Sequence, residues 1–304
     1  MLRRLLLASV GAMALTGAAL AADLPSRAPP PVYLPPPPVF TWTGLYAGIN
    51  AGGTWSSSNS VQTTAVPIEP AAATFESELA LSSALATTSV PVSNSGFIGG
   101  GQIGYNYQFY NSWLIGIEAD IQGVAGNSSS SSVSASGVPA GFPTETITST
   151  VSASKRLDYF GTVRGRLGFL VTPTFLAYGT GGLAYGGVRS SVQIDQQNLD
   201  TVATDFGAPF SSFGSLSNSR VGWTAGGGVE WLFLPNWSLK VEYLYYDLNS
   251  ASFGLSPLTN VFTDTGAVVY SSAPFARASF KGNIVRAGLN YHFNFFPPPI
   301  VAKY

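Results

Sequence analysis

Charged side chains are scarce in this chain, and several of those it has recur at a spacing of two. Glu118 and Asp120, Arg164 and Arg166, and Lys240 and Glu242 each flank a single residue, while Asp158, Glu230 and Arg286 stand alone in similar surroundings. On a strand, residues two apart share a face, so each pair projects from one side. Five carboxylates then stand against four cations. Brought together away from water they must pair, because a buried charge without a partner costs several kcal/mol. The expectation is a polar network of Glu118, Asp120, Arg164, Arg166, Glu230, Lys240, Glu242 and Arg286. Such a network either plugs an interior and fixes its register or lines a path for ions and small solutes.

The elements that would carry these charges are stretches of about ten residues that alternate apolar or aromatic with small or polar. In 96–108, Phe97, Ile103, Tyr105 and Tyr107 point one way and Gln102, Asn106 and Gln108 the other. Eight such strands are expected at 45–55, 96–109, 113–122, 157–169, 175–187, 220–233, 237–248 and 283–293. Three connections are very short: 110–112, 170–174 with Pro173, and 234–236 with Pro235 and Asn236. Pro and Asn suit tight turns. The other four, at about 56–95, 123–156, 188–219 and 249–282, are long and rich in Ser, Thr, Ala and Gly. A soluble sandwich shares the alternation. Regularly alternating short and long connections are instead the pattern of an outer-membrane barrel, with short turns facing the periplasm and long loops facing outward. The fold expected is all-β, an eight-stranded antiparallel transmembrane up-and-down β-barrel over 42–293, with both termini periplasmic.

In that fold the apolar face meets lipid. It is Trp113, Ile115, Ile117, Ala119 and Ile121 on the third strand, and Val221, Trp223, Ala225, Val229 and Trp231 on the sixth. On the seventh it is Trp237, Leu239, Val241, Tyr243 and Tyr245, and on the eighth Val285, Ala287, Leu289, Tyr291 and Phe293. Trp113, Trp231, Trp237 and Phe293 fall beside the short turns and are expected to form a periplasmic aromatic girdle. Hairpin geometry sets Glu230 opposite Lys240 and Gln102 opposite Asp120. Glu118 and Arg164 stand at like heights on neighbouring strands.

Composition agrees. Only 10% of the 304 residues are charged while 45% are hydrophobic, with 34 Gly and no Cys; a soluble domain carries about 25% charged residues. After residue 22 no run of about 18 apolar residues exists, so no helix is expected to span a bilayer. Arg3 and Arg4, the apolar stretch 5–20 and the small-x-small sequence Ala19-Leu20-Ala21 read as a secretory signal over 1–22. Its removal leaves 14 − 2 = 12 basic against 15 acidic residues, a net of −3, which does not suit nucleic acid. The Pro-rich segment 23–41, with Pro29–Pro31 and Pro35–Pro38, reads as an extended periplasmic spacer or a contact with cell-wall components. In the first long loop, 79–86 has the makings of a short helix.

Catalysis finds little support. A hydrolytic triad needs a nucleophile and an orienting carboxylate on either side of a histidine. The one histidine, His292, lies inward near the periplasmic rim. Gly99–Gly101 and Gly226–Gly228 lack the Gly-Lys-Ser/Thr of a phosphate loop and read as strand glycines giving curvature or room for aromatic rings. No enzyme, cofactor or metal site is expected.

Five segments carry a family resemblance: Phe40-Thr41-Trp42-Thr43-Gly44-Leu45-Tyr46, Phe160–Gly168 (FGTVRGRLG), Tyr178–Gly186 (YGTGGLAYG), Trp237–Leu248 (WSLKVEYLYYDL) and Val285–Phe293 (VRAGLNYHF). Together they resemble the small outer-membrane immunogenic proteins and porin-family barrels of alphaproteobacteria, relatives of the OmpA-like barrel. The resemblance implies an outer-membrane protein of a Gram-negative cell, structural and antigenic in role, with at most weak pore activity. It leaves two alternatives, a narrow porin and a surface adhesin or ligand-binding protein, haem being one such ligand. The partners expected are membrane lipid and lipopolysaccharide and the barrel assembly machinery, with no nucleic acid, and the chain is expected to be a monomer. Where the family ends at the strand-eight aromatic, this chain continues through 294–304 with Pro297–Pro299, a C-terminal extension expected in the periplasm.

Overall fold

Alternating side chains and Asn- or Pro-bearing turns produce one antiparallel sheet that closes on itself. The computed structural model of the chain describes residues 41–70, 72–126, 128–202 and 208–293. The expected leader, the Pro-rich segment up to residue 40 and the extension from 294 lie outside the described residues. The strands are β1 (Gly44–Ser56), β2 (Ser60–Pro70), β3 (Ser89–Pro91), β4 (Ser95–Phe109), β5 (Trp113–Ala125), β6 (Ser129–Gly137), β7 (Glu145–Thr172), β8 (Phe175–Asp200), β9 (Phe210–Leu234), β10 (Trp237–Gly254), β11 (Leu258–Val261) and β12 (Val268–Phe293). Between β2 and β3 a 3₁₀ turn at Ala73–Phe75 leads into helix α1 (Glu76–Ala86). Pairing runs β1-β4-β5-β7-β8-β9-β10-β12 and returns from β12 to β1. The remaining strands attach to this circuit: β2 pairs β12 and β3, β6 pairs β7, and β11 pairs β12.

Twelve strands therefore form among the described residues where eight were expected. The difference lies in the four segments read as long loops, which are largely strand. β7 runs 28 residues and β8 runs 26, so the wall continues well past the stretch the aromatics mark. The reason is visible along β7. Ile147, Ser149, Val151, Ala153 and Lys155 are buried in strict alternation. Only Ile147 and Val151 on that face are large and apolar, and Thr148, Thr150, Ser152 and Ser154 stand between, so the hydrophobic signal of the period is weak. In the first of these segments, α1 covers the expected 79–86 and starts three residues earlier.

The short turns behave as their residues require. Tyr110, Asn111 and Asn236 take positive φ (47°, 60° and 74°), a region Asn tolerates better than most residues. The resulting register places Lys240 opposite Glu230, Gln102 opposite Asp120 and Glu118 opposite Arg164, as the hairpin reading predicts.

The outer face is apolar. Ile115, Ile117, Ile121, Val221, Leu239, Val241 and Val285 are exposed. Trp113, Trp231 and Trp237 are exposed near the short turns and Phe293 is half-buried there. They pack with neighbours that the sequence reading left out of the girdle: Trp113 with Phe169 (5.3 Å between ring centres) and Trp231 with Phe233 (6.1 Å). Trp237 and Phe293 both meet Tyr291, at 5.2 and 5.0 Å. A second set of exposed aromatics, Trp55, Phe97 and Trp223, stands further along the strands. On β9, Trp223 and Trp231 are eight residues apart (231 − 223), about 26 Å of extended chain at ~3.3 Å per residue. With strands tilted by about 40° this is roughly 20 Å along the membrane normal, somewhat less than the apolar band of about 25 Å that separates the aromatic belts of such barrels.

Inside, three layers follow one another. At the short-turn end Trp42, Leu114, Leu170, Leu176, Tyr178 and Leu232 form an apolar cluster. The charged residues lie above it. Beyond them the extension of the wall holds a larger apolar core, including Val61, Leu79, Val90, Ile98, Phe160, Ile194, Leu258, Phe280 and Ile284.

Candidate functional site

The eight charges of the expected network converge in the middle layer, all within 4% of full burial. β5 supplies Glu118 and Asp120, β7 Arg164 and Arg166, β9 Glu230, β10 Lys240 and Glu242, and β12 Arg286. Glu118 is the hub. It accepts from Arg164 (2.5 Å), from Lys240 (2.7 and 2.8 Å) and from the Tyr46 hydroxyl (2.6 Å). Arg164 also donates to Asp120 (3.1 Å) and Glu242 (2.9 Å), and Arg286 to the same two carboxylates at 2.8 and 2.7 Å. Arg166 donates to Glu230 (2.7 Å) and to the Tyr46 hydroxyl (2.9 Å), with its guanidinium 4.0 Å from the centre of the Tyr178 ring. Planar guanidiniums suit such multidentate, stacked positions.

One charge departs from the expected set. Asp158 does not face the interior. It sits partly exposed beside a register shift between Leu157 and Tyr159 and pairs outside with Arg156 (3.0 Å) and Arg189 (2.6 Å). A bulge turns a side chain to the other face, and spacing alone does not reveal it. Its removal leaves four carboxylates with four cations, so the interior set is formally neutral.

Neutral polar groups extend the network. Thr162 donates to Asp120 (2.7 Å), Tyr178 to Glu242 (3.1 Å), and Asn290 to Glu230 (2.8 Å). Glycine gives the rings their room. A Cβ on Gly104 would come within 2.4 Å of the Tyr46 ring, and one on Gly228 within 2.8 Å of the Tyr178 hydroxyl. The glycine runs 99–101 and 226–228 lie in mid-strand on β4 and β9.

His292 is buried in this lower part, with Ser238 at 2.9 Å and Glu230 at 3.4 Å. Ser238 also donates to Glu230 (2.6 Å). Serine, histidine and carboxylate are thus together, but Ser238 and Glu230 reach the same ring nitrogen, Nε2. A triad sets the nucleophile and the carboxylate on opposite nitrogens. In the sequence Ser238 stands only as part of a family-like segment, because the fold alone brings it to His292. The same is true of Trp42. It precedes β1, buries its indole under His292 (ring centres 5.4 Å apart) and donates to the Pro173 carbonyl (3.0 Å). Among the described residues no group of three or more His, Cys, Asp or Glu is arranged to hold a metal.

The family model for the outer membrane protein β-barrel domain matches residues 7–293. The chain belongs to this family. It is 33% identical to the 31 kDa outer-membrane immunogenic proteins of Brucella melitensis and Brucella suis, over 96% of this chain and 100% of theirs. It is 32% identical to a 22 kDa outer membrane protein of Rhizobium leguminosarum bv. viciae, over 51% of this chain and 58% of that one. Family and relatives place the protein in the outer membrane of a Gram-negative bacterium. Among solved structures, Ail of Yersinia pestis aligns at 11% identity (TM-score 0.26; 80% of this chain, 99% of that one). OprG of Pseudomonas aeruginosa aligns at 9% (TM-score 0.35; 83% and 97%). At such scores these likenesses decide neither strand number nor role.

Proposed function

We propose that this protein is a closed outer-membrane barrel with a structural and surface-presenting role, and that it is neither a diffusion pore nor an enzyme. The observation that carries this is the filled interior. Trp42 and its apolar neighbours stop the short-turn end, a neutral ion-pair network fills the middle, and an apolar core occupies the extension. A pore keeps polar lining and water along its length; an eight-stranded wall is only wide enough for its own side chains. In this reading the eight strands of the closed circuit are the spanning wall. The short turns and both termini face the periplasm, and β2, β3, β6, β11 and α1 belong to an extracellular extension. Lipid and lipopolysaccharide surround the apolar band of a monomer that the assembly machinery inserts. The experiment is solute-driven swelling of liposomes holding the refolded full-length chain. Rates equal to those of empty liposomes are expected; entry of small sugars or amino acids would overturn the closed barrel.

A further inference from the structure

The extension contains a second buried polar cluster, separate from the ion-pair network and built without a cation. Glu78, on the first turn of α1, is 1% exposed, and Glu145, the first residue of β7, is 3% exposed. Asn198 (1% exposed) donates its amide to Glu145 at 3.0 Å, which fixes its side chain in the cluster and leaves its Oδ1 buried without a hydrogen-bond partner. Glu78 accepts from Ser77 on one oxygen (2.8 Å), and its other oxygen, Oε1, is likewise buried and unpaired. Hydrogen bonds seat α1 against β8 beside these groups: Ser82, four residues on from Glu78, donates to the Gln196 side chain (2.6 Å) and accepts from it at its carbonyl (2.9 Å), and Gln196 shares a buried face of β8 with Asn198. Neither carboxylate has an ion-pair partner among the described residues. The charges acting on Glu145 are the carboxylates of Glu78 and Asp200, which with burial raise its pKa.

Two carboxylates with like charges at close quarters destabilise each other unless something neutralises them. The start of α1 helps Glu78 as a favourable helix end, but a helix end is not a counter-ion. Buried, unpaired oxygen acceptors and no nitrogen or sulfur ligands describe the preference of a hard cation, and calcium in particular takes six to eight oxygens in flexible arrangements. We propose that Glu78, Glu145 and the Oδ1 of Asn198 form a binding site for a divalent cation of the calcium class. The ion adds to the Ser82–Gln196 hydrogen bonds that hold α1 on β8 and joins both to the start of β7. Glu145 and Asn198 lie at the tip of the β7–β8 pair, with Asp200 ending β8 two residues on.

The test is calorimetric titration of calcium chloride into the refolded full-length protein in detergent, freed of metal by chelation. Magnesium chloride serves as the comparison ion. One calcium per chain is expected, in the range of about 10⁻⁴–10⁻³ M that extracellular modules use, with magnesium weaker. Glu145→Gln should weaken calcium at least tenfold, while the heat-modifiable gel shift still reports a folded barrel. Glu78→Gln, which leaves the hydrogen bond from Asn198 to Glu145 in place, should weaken calcium likewise, so the site stays testable should Glu145→Gln fail to fold. Absence of calcium binding, or binding that neither variant changes, would overturn the proposal. Neither result touches the closed lumen, on which the proposed role rests.

Discussion

Carboxylates are buried in two places in this molecule, in opposite company. In the middle of the barrel Glu118, Asp120, Glu230 and Glu242 meet Arg164, Arg166, Lys240 and Arg286 at hydrogen-bond distance. In the extension Glu78 and Glu145 meet amides, hydroxyls and each other's field. Burial is nearly equal, so burial is not what separates them. The difference is where the compensating charge comes from. At membrane depth a wall must carry its own counter-ions, because the surrounding lipid offers none. Beyond the second aromatic belt, dissolved ions are within reach. In the proposed reading the first cluster is a structural plug and the second a cation site.

Breaking the first cluster should have the largest effect. Glu118→Gln keeps the shape but leaves Arg164 and Lys240 short of charge. Removing one partner of a buried pair costs about 3–5 kcal/mol, to be read as a lower urea midpoint for unfolding from lipid vesicles. Glu145→Gln, measured the same way without calcium, should leave stability unchanged or raise it, since it removes an uncompensated charge. A second contrast is the response to calcium itself. At ten times its dissociation constant the ion should stabilise the wild-type chain by about 1.4 kcal/mol and Glu145→Gln by much less.

A third contrast is titration. Lys155, just past the second belt, donates to the Ser58 carbonyl (2.8 Å), and burial lowers its pKa to about 8. The unfolded chain, with its lysine near 10.4, then holds more protons than the folded one between about pH 8 and that value. Stability should rise with pH across that window, and Lys155→Met should abolish the rise in denaturant melts taken from pH 7 to 11. Glu145 works the other way. Its folded pKa is raised, so without calcium the folded state holds the proton more tightly, and stability should grow as the pH falls toward the ordinary carboxylate range. The smallest effect belongs to the outer surface. Arg189, 61% exposed at its side chain, pairs with Asp158, and Arg189→Ala should cost less than about 1 kcal/mol; a larger loss would mean that exposed pairs also hold this barrel together.

The wall and its plug were legible in the sequence to different depths. Alternation and the short turns fixed the register of Glu230 with Lys240 and of Gln102 with Asp120, because a tight hairpin leaves little freedom. The spacing of two marked six of the eight interior charges and the alternation of their strands the other two, and Asp158 escaped because a bulge inverts the period without marking the sequence. The extension was hidden. Its strands alternate Ser, Thr and Ala with few large residues, which reads as coil until the pairing partners are known. Glu78 falls in the segment read as the first long loop, and nothing local joins it to Glu145 or Asn198, which lie 67 and 120 positions further on (145 − 78 and 198 − 78). Trp42 and Ser238 matter through neighbours distant in sequence, and no spacing rule finds them.

The central claim is the closed lumen, and the most direct measurement is single-channel current through the refolded full-length chain in a planar bilayer. Insertion is verified separately by protection of the barrel from protease. The account predicts a folded, inserted and silent protein, and silence should persist when Glu118→Gln or Arg164→Met loosens the middle layer, since Trp42 and the apolar core still close both ends. Reproducible current steps from the wild-type barrel would contradict it.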